Sequence, residues 1–246
     1  MDRSLYIAMT GASQTLRAQE AVSHNLANAS TVGFRGELTA FRSLPVQGPG
    51  AATRVNAVAY GVGADATPGT VASTGRALDV AVRGDGWIAV QAPDGSEGYT
   101  RAGDLRLTAD GLLTDAAGNP VLGNGGPITL PPSAKLRIGE DGTVSSVPIG
   151  EGPATVAVLD RIRLVDPDPS RLVQGGDGLM HLDDGGAAAP DAEVRLTPGA
   201  LENSNVNASS ELVRMIALSR QYDMQIKSIK AAEDNDSSAS KLLQSN

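Results

Sequence analysis

The chain has 246 residues and a formal net charge of −8, with 29 glycines, 14 prolines and only 3% aromatic residues. It contains no cysteine, which excludes disulfides, thiol nucleophiles, Cys-zinc sites and iron–sulfur clusters, and its two histidines, His24 and His181, leave little for metal or triad chemistry. The acidic balance argues against a nucleic-acid partner, and the longest uncharged stretch, residues 116–134, holds four glycines and four prolines and cannot be a spanning helix.

All 14 prolines lie between Pro45 and Pro198, and 28 of 29 glycines between Gly33 and Gly199. Backbone-breaking residues are thus kept out of both ends, which predicts two helical termini around a turn-rich β region. In the first segment, at about 100° per residue, Leu5, Ala8, Met9, Ala12, Leu16, Val22, Leu26 and Ala27 share one arc, and Arg3, Arg17, Glu20 and His24 oppose it. Thr15, Gln19 and Ser23 fall inside the apolar arc, so the seam is rich in small residues. The helix should end near 28–30, where Asn28, Ser30, Thr31 and Gly33 tolerate turns. Thr10, Ser13 and Gln14 interrupt the first apolar run, which therefore does not read as a cleavable signal peptide.

Residues 37–75 read as an extended connector, Pro/Gly/Ala-rich over most of their length and without a clear period. Strands are predicted at 78–82, 87–90, 105–107 and 161–165, where residues alternate or run β-branched. Six Asp-Gly pairs punctuate the middle region, a strong hairpin signature. Gly84-Asp85-Gly86-Trp87-Ile88-Ala89 fits the loose dinucleotide pattern, but a β run rather than a helix follows, which favours a turn. None of the Asp-Gly turns has calcium-loop spacing, and Ser238-Ala239-Ser240-Lys241 has no second motif to make it catalytic. No catalytic residue, cofactor or metal ligand is expected.

At the far end, 203–209 is a run of N-cap residues ahead of a long helical pattern. Met215, Leu218, Tyr222, Ile226 and Ile229 share a face that Leu212 and Ile216 widen. Running from about 206 to 243, this helix would be on the order of 55 Å long. A helix of that length outreaches a compact middle domain, and its apolar face calls for partners, most economically other copies of the chain.

Three blocks then carry a resemblance. Asn25-Leu26-Ala27-Asn28-Ala29-Ser30-Thr31-Val32-Gly33-Phe34-Arg35 resembles the N-terminal signature of flagellar rod and hook proteins. Leu78 through Trp87, Tyr99-Thr100-Arg101-Ala102-Gly103 and Gly118-Asn119-Pro120-Val121-Leu122-Gly123 resemble their central β region, and Leu201 through Asn207 with Glu211 through Ile216 their C-terminal block. Trp87 after the Gly-Asp-Gly, the ending 232–243 and the chain length resemble a proximal-rod more than a distal-rod subunit. No motif in 143–195 aligns, so strand order there stays open.

The resemblance implies a non-enzymatic structural subunit of the bacterial basal body, spanning the periplasm in the rod and transmitting torque. It further implies export without a cleaved signal through the flagellar type III apparatus, with no membrane insertion. Its partners would be copies of itself and other rod subunits. The fold class expected is α+β: long terminal helices packed together in coiled-coil fashion, flanking a mainly antiparallel β domain. The division is 1–36 helical, 37–75 connector, 76–199 β domain and 200–246 helical. Leu5, Met9, Leu16, Leu26, Leu212, Met215, Ile216, Leu218, Ile226 and Ile229 become the expected subunit-packing residues. A distal-rod subunit, or a secreted β-domain binding module, are the alternatives.

Overall fold

The computed structural model describes residues 3–45, 55–131, 133–148 and 156–244; residues 46–54 of the connector and 149–155 lie outside them. The fold is α+β, with two long helices near the chain ends and antiparallel strands between. The chain divides into two compact units. One comprises Met1–Ala27, Glu37–Val62 and Asn207–Asn246, the other Asn28–Gly36 and Gly63–Val206.

In the first unit, α1 (Arg3–Ala27) and α2 (Ala208–Gln244) form where proline is absent and Gly11 is the sole glycine. The 37 residues of α2 give a length of about 55 Å at 1.5 Å per residue. Ala8, Ala12, Thr15, Ala18 and Val22 of α1 recur at helical spacing and are all buried. Ala18 and Val22 pack with Leu218 and the half-buried Met215 of α2. The seam is narrow because its residues are small. At Gly11 a Cβ would sit 3.0 Å from the Gln225 amide, so glycine lets α2 approach closely there. The Thr15 hydroxyl is satisfied within α1 by the Gly11 carbonyl at 2.8 Å.

The stretch read as a connector contains three strands among the described residues: β1 (Glu37–Pro45) and β2 (Val55–Ala64), paired as a two-stranded sheet, and Val71–Ser73, which pairs elsewhere. Asn25 brackets the start of β1: its Oδ1 accepts from the Glu37 amide at 2.7 Å, and its Nδ2 donates to the Glu37 carbonyl at 3.0 Å. Gln14 Oε1 accepts from the Ala59 amide at 2.9 Å, tying β2 to α1.

Asn207 caps α2, its side chain accepting from the Ser210 amide at 3.1 Å, with Glu211 in the first turn complementing the helix dipole. Asn207→Ala should cost about 1 kcal/mol. A urea titration followed by circular dichroism checks this, and an unchanged midpoint would show that the cap contributes nothing.

In the second unit, a five-stranded sheet runs in the order Leu164–Val165, Trp87–Gln91, Glu97–Thr100, Met180–Leu182, Leu172–Gln174. Every neighbouring pair in it is antiparallel. Ser133–Ile138, Thr143–Pro148 and Ala157–Arg161 form a bulged antiparallel sheet of three, so the region 143–195, whose strand order was open, is shared between this sheet and the five-stranded one. Val80–Arg83 pairs with Arg195–Pro198, and Val71–Ser73 with Ala200–Glu202. Trp87 begins a strand, so no helix follows Gly84-Asp85-Gly86.

Five of the six Asp-Gly glycines adopt positive φ, as hairpin turns require. Asp94 and Asp141 in two of these turns accept from Ser96 and Thr143 two residues on, and those hydrogen bonds hold their carboxyls below the usual range. Val80, Val82, Ile88, Val90, Leu105, Leu113, Val121, Ile128 and Leu196 are among the residues of the main core. A second cluster surrounds the fully buried Tyr99, whose hydroxyl accepts from the Ala188 amide at 2.7 Å and is pushed up to about 12 by burial.

Candidate functional site

Two features of the molecule have functional character. The first is the outer surface of the helices. Of the ten expected packing residues, Leu218 is 7% exposed and lies in the seam between α1 and α2, with Met215 half-buried beside it. Leu5, Leu26, Ile226 and Ile229 are half-buried. Met9, Leu16, Leu212 and Ile216 are exposed, Ile216 to 55%. On α1 the seam is therefore lined by alanines, Thr15 and Val22, while Met9 and Leu16 of the same arc stay in solvent. Tyr6, Val213 and Met224 add to the exposed apolar surface of the two helices.

The second feature is a buried ionic clamp in the β unit, built from all three signature blocks. Glu202, 1% exposed, accepts from Arg35 Nη2 at 2.7 Å, Arg101 Nη1 at 3.1 Å and the Gly69 amide at 2.8 Å. Arg101 also donates from Nη2 to the Gly84 carbonyl at 2.6 Å, and its guanidinium lies 5.3 Å from the centre of the Trp87 ring. Burial lowers the Arg35 pKa, Glu202 opposes that shift, and the like charge of Arg101 adds to it.

Main-chain bonds hold the same segments in register. The Gly33 amide donates to the Glu202 carbonyl at 2.7 Å, and Asn203 to Thr70 at 2.9 Å. Asn205 accepts from the Gly36 amide at 2.8 Å and donates to the carbonyls of Asp65 at 3.1 Å and Thr67 at 3.0 Å. Gly33 sits at φ 67°, and a Cβ there would come within 2.2 Å of the Arg101 carbonyl carbon. Glycine in the first signature block is thus required by the chain that the second block brings against it.

Arg35, Arg101 and Glu202 each stand in a signature stretch, and nothing in the motifs pairs them. Nothing in a single sequence links charges so far apart; the clue available is that each is the lone charge of its short stretch, 25–35, 99–103 and 201–207.

Among the described residues, no group of three or more His, Cys, Asp or Glu side chains could hold a metal ion. His181 is engaged with Asp177 at 3.0 Å and the Glu97 carbonyl at 3.2 Å, and His24 with Glu37 at 2.9 Å. No described helix is long and apolar enough to cross a membrane.

Comparison with known proteins finds three family profiles along the chain. "Flagella basal body rod protein" matches residues 5–35, "Flagellar hook protein FlgE/F/G D1 domain" 81–146, and "Flagellar basal body rod FlgEFG protein C-terminal" 197–242. The flagellar basal-body rod protein FlgF of Salmonella typhimurium is 44% identical over 99% of both chains. That of Escherichia coli K12 is likewise 44% identical over 99% of both. A flagellar basal-body rod protein FlgG of Buchnera aphidicola is 31% identical over 94% of this chain and 95% of its own.

Proposed function

We propose that this chain, which belongs to the flagellar basal-body rod protein family, is a structural subunit of the proximal rod that polymerises through its terminal helices. The observation that carries this reading is the exposed apolar surface of α1 and α2, where Met9, Leu16, Leu212 and Ile216 face solvent on elements that also pack with each other. Exposed apolar side chains on paired helices are the raw material of a coiled-coil-like contact with further helices. A head-to-tail contact that does not close builds a helical assembly, as a rod requires. Identity of 44% to two FlgF proteins, against 31% to a FlgG protein, supports the proximal over the distal position.

In this reading the helical ends form the layer that lines an export channel. The subunit leaves the cytoplasm through the flagellar type III apparatus and does no catalysis. Its partners are copies of itself and the other rod subunits, and its role is to carry torque. Cells lacking the chromosomal copy should make no complete rods and should not swim, and resupply of the chain should restore both. Normal basal bodies in the deletion strain would overturn the assignment.

A further inference from the structure

Beside the clamp, and wholly within the β unit, lies a cavity of about 190 Å³. That is smaller than the roughly 300–1,000 Å³ of sites for cofactors and drug-sized ligands, and fits a single side chain. Its walls include Trp87, Pro167, Leu172 and Met180, and its polar lining includes Asp85 and Asp166 together with both clamp arginines. The charges do not balance. Arg35 and Arg101 are both engaged by Glu202, whereas Asp85 and Asp166, both exposed, have no ion-pair partner among the described residues. Partial desolvation of its carboxyl, followed by the like charges of Asp85 and Asp191 and opposed by Arg101, raises Asp166 above its usual range.

A second observation is independent of the carboxylates. Arg35 and Arg101, with side chains 4% and 3% exposed, each retain a buried donor with no acceptor among the described residues, Arg35 Nη1 and Arg101 Nε. Buried donors normally find a partner, because an unpaired one costs about 1–3 kcal/mol.

We propose that this cavity receives a basic side chain, arginine or lysine, carried on a loop of a neighbouring rod subunit. The aliphatic stem packs on Trp87, Leu172 and Met180, the charged head lies between Asp85 and Asp166, and a main-chain carbonyl of the loop accepts from the free guanidinium donors. An acidic side chain would meet the carboxylates, and an apolar one would leave them unpaired. This interaction rests on the rod reading for its partner, although the cavity and its charges do not depend on it.

Trp87 is the only tryptophan and lines the cavity, so its fluorescence reports occupancy directly. The test titrates the intact chain with the blocked tripeptide acetyl-Gly-Arg-Gly-amide, and with its glutamate and norleucine counterparts. The expected result is a saturable Trp87 response to the arginine peptide alone. In the folded Asp85→Asn/Asp166→Asn variant, and to a lesser extent in Asp166→Asn alone, that response should weaken at least tenfold. Equal responses to the three peptides, no saturable response, or an unaffected double variant would each overturn the proposal. Because the titration uses isolated protein, its failure is separable from failure of the deletion strain to lose its rods.

Discussion

Glu202→Ala should strip the β unit of about 3–5 kcal/mol, the cost of leaving paired charges without their counter-ion in a buried site. Typical domain stabilities are about 5–15 kcal/mol, so this is a large fraction of the total. Two guanidiniums and the Gly69 amide lose their common acceptor, and Arg101 is left between the Trp87 ring and the Gly84 carbonyl with its charge uncompensated. Glu202→Gln keeps the shape and one acceptor oxygen but not the charge, and should fall between wild type and alanine. Removing all three charges together, as in Arg35→Met/Arg101→Met/Glu202→Leu, should cost less than Glu202→Ala, because no orphaned ion remains. Urea unfolding followed by Trp87 emission measures each of these. A loss below about 1 kcal/mol for Glu202→Ala would mean that the clamp is not a stabilising element.

The second large effect is on assembly rather than on folding. Ile216 is 55% exposed and Leu218, two residues on, is 7% exposed. Ile216→Asp should leave the isolated chain within about 0.5 kcal/mol of wild type, as surface substitutions do, yet block incorporation into rods by placing a charge where an apolar contact is needed. Leu218→Ala should do the reverse in the monomer, costing about 2–5 kcal/mol by opening a cavity against Ala18 and Val22. Thermal melts of the purified variants, set beside basal bodies isolated from cells expressing them, separate the two. If Ile216→Asp enters rods normally, this face does not contact a neighbour.

What the sequence disclosed depended on how local the determining physics was. The helices were legible because proline and every glycine but Gly11 are kept out of them: a pattern read from about 206 to 243 is met by Ala208–Gln244, and an end near 28–30 by Ala27. Trp87–Gln91 was legible because it is a short apolar run bounded by Asp-Gly turns, and it proves buried along its middle. The pairing of β1 with β2 was not, since most of β1 is exposed and leaves no alternating pattern to read. Leu105–Leu107 looked like a strand of three, but Leu105 is a fully buried core residue and the strand is only Arg106–Leu107.

The surfaces divide in the same way. One apolar arc on α1 was visible, but periodicity alone cannot say which of its members meet within the chain. Alanines permit the close approach of α2 and are buried, whereas Met9 and Leu16 of the same arc remain outside. The clamp was invisible for a different reason. Arg35, Arg101 and Glu202 are brought together by strand pairing, such as that of Ala200–Glu202 with Val71–Ser73, which only the folded topology supplies.

The most direct test of the account is a cryo-electron microscopy map of basal bodies assembled with this chain, at a resolution that shows side chains. If the chain assembles through its helices, Met9, Leu16, Leu212 and Ile216 are buried there against the helices of neighbouring rod subunits. A map in which these four side chains face solvent, or in which the chain is absent from the rod, would contradict it.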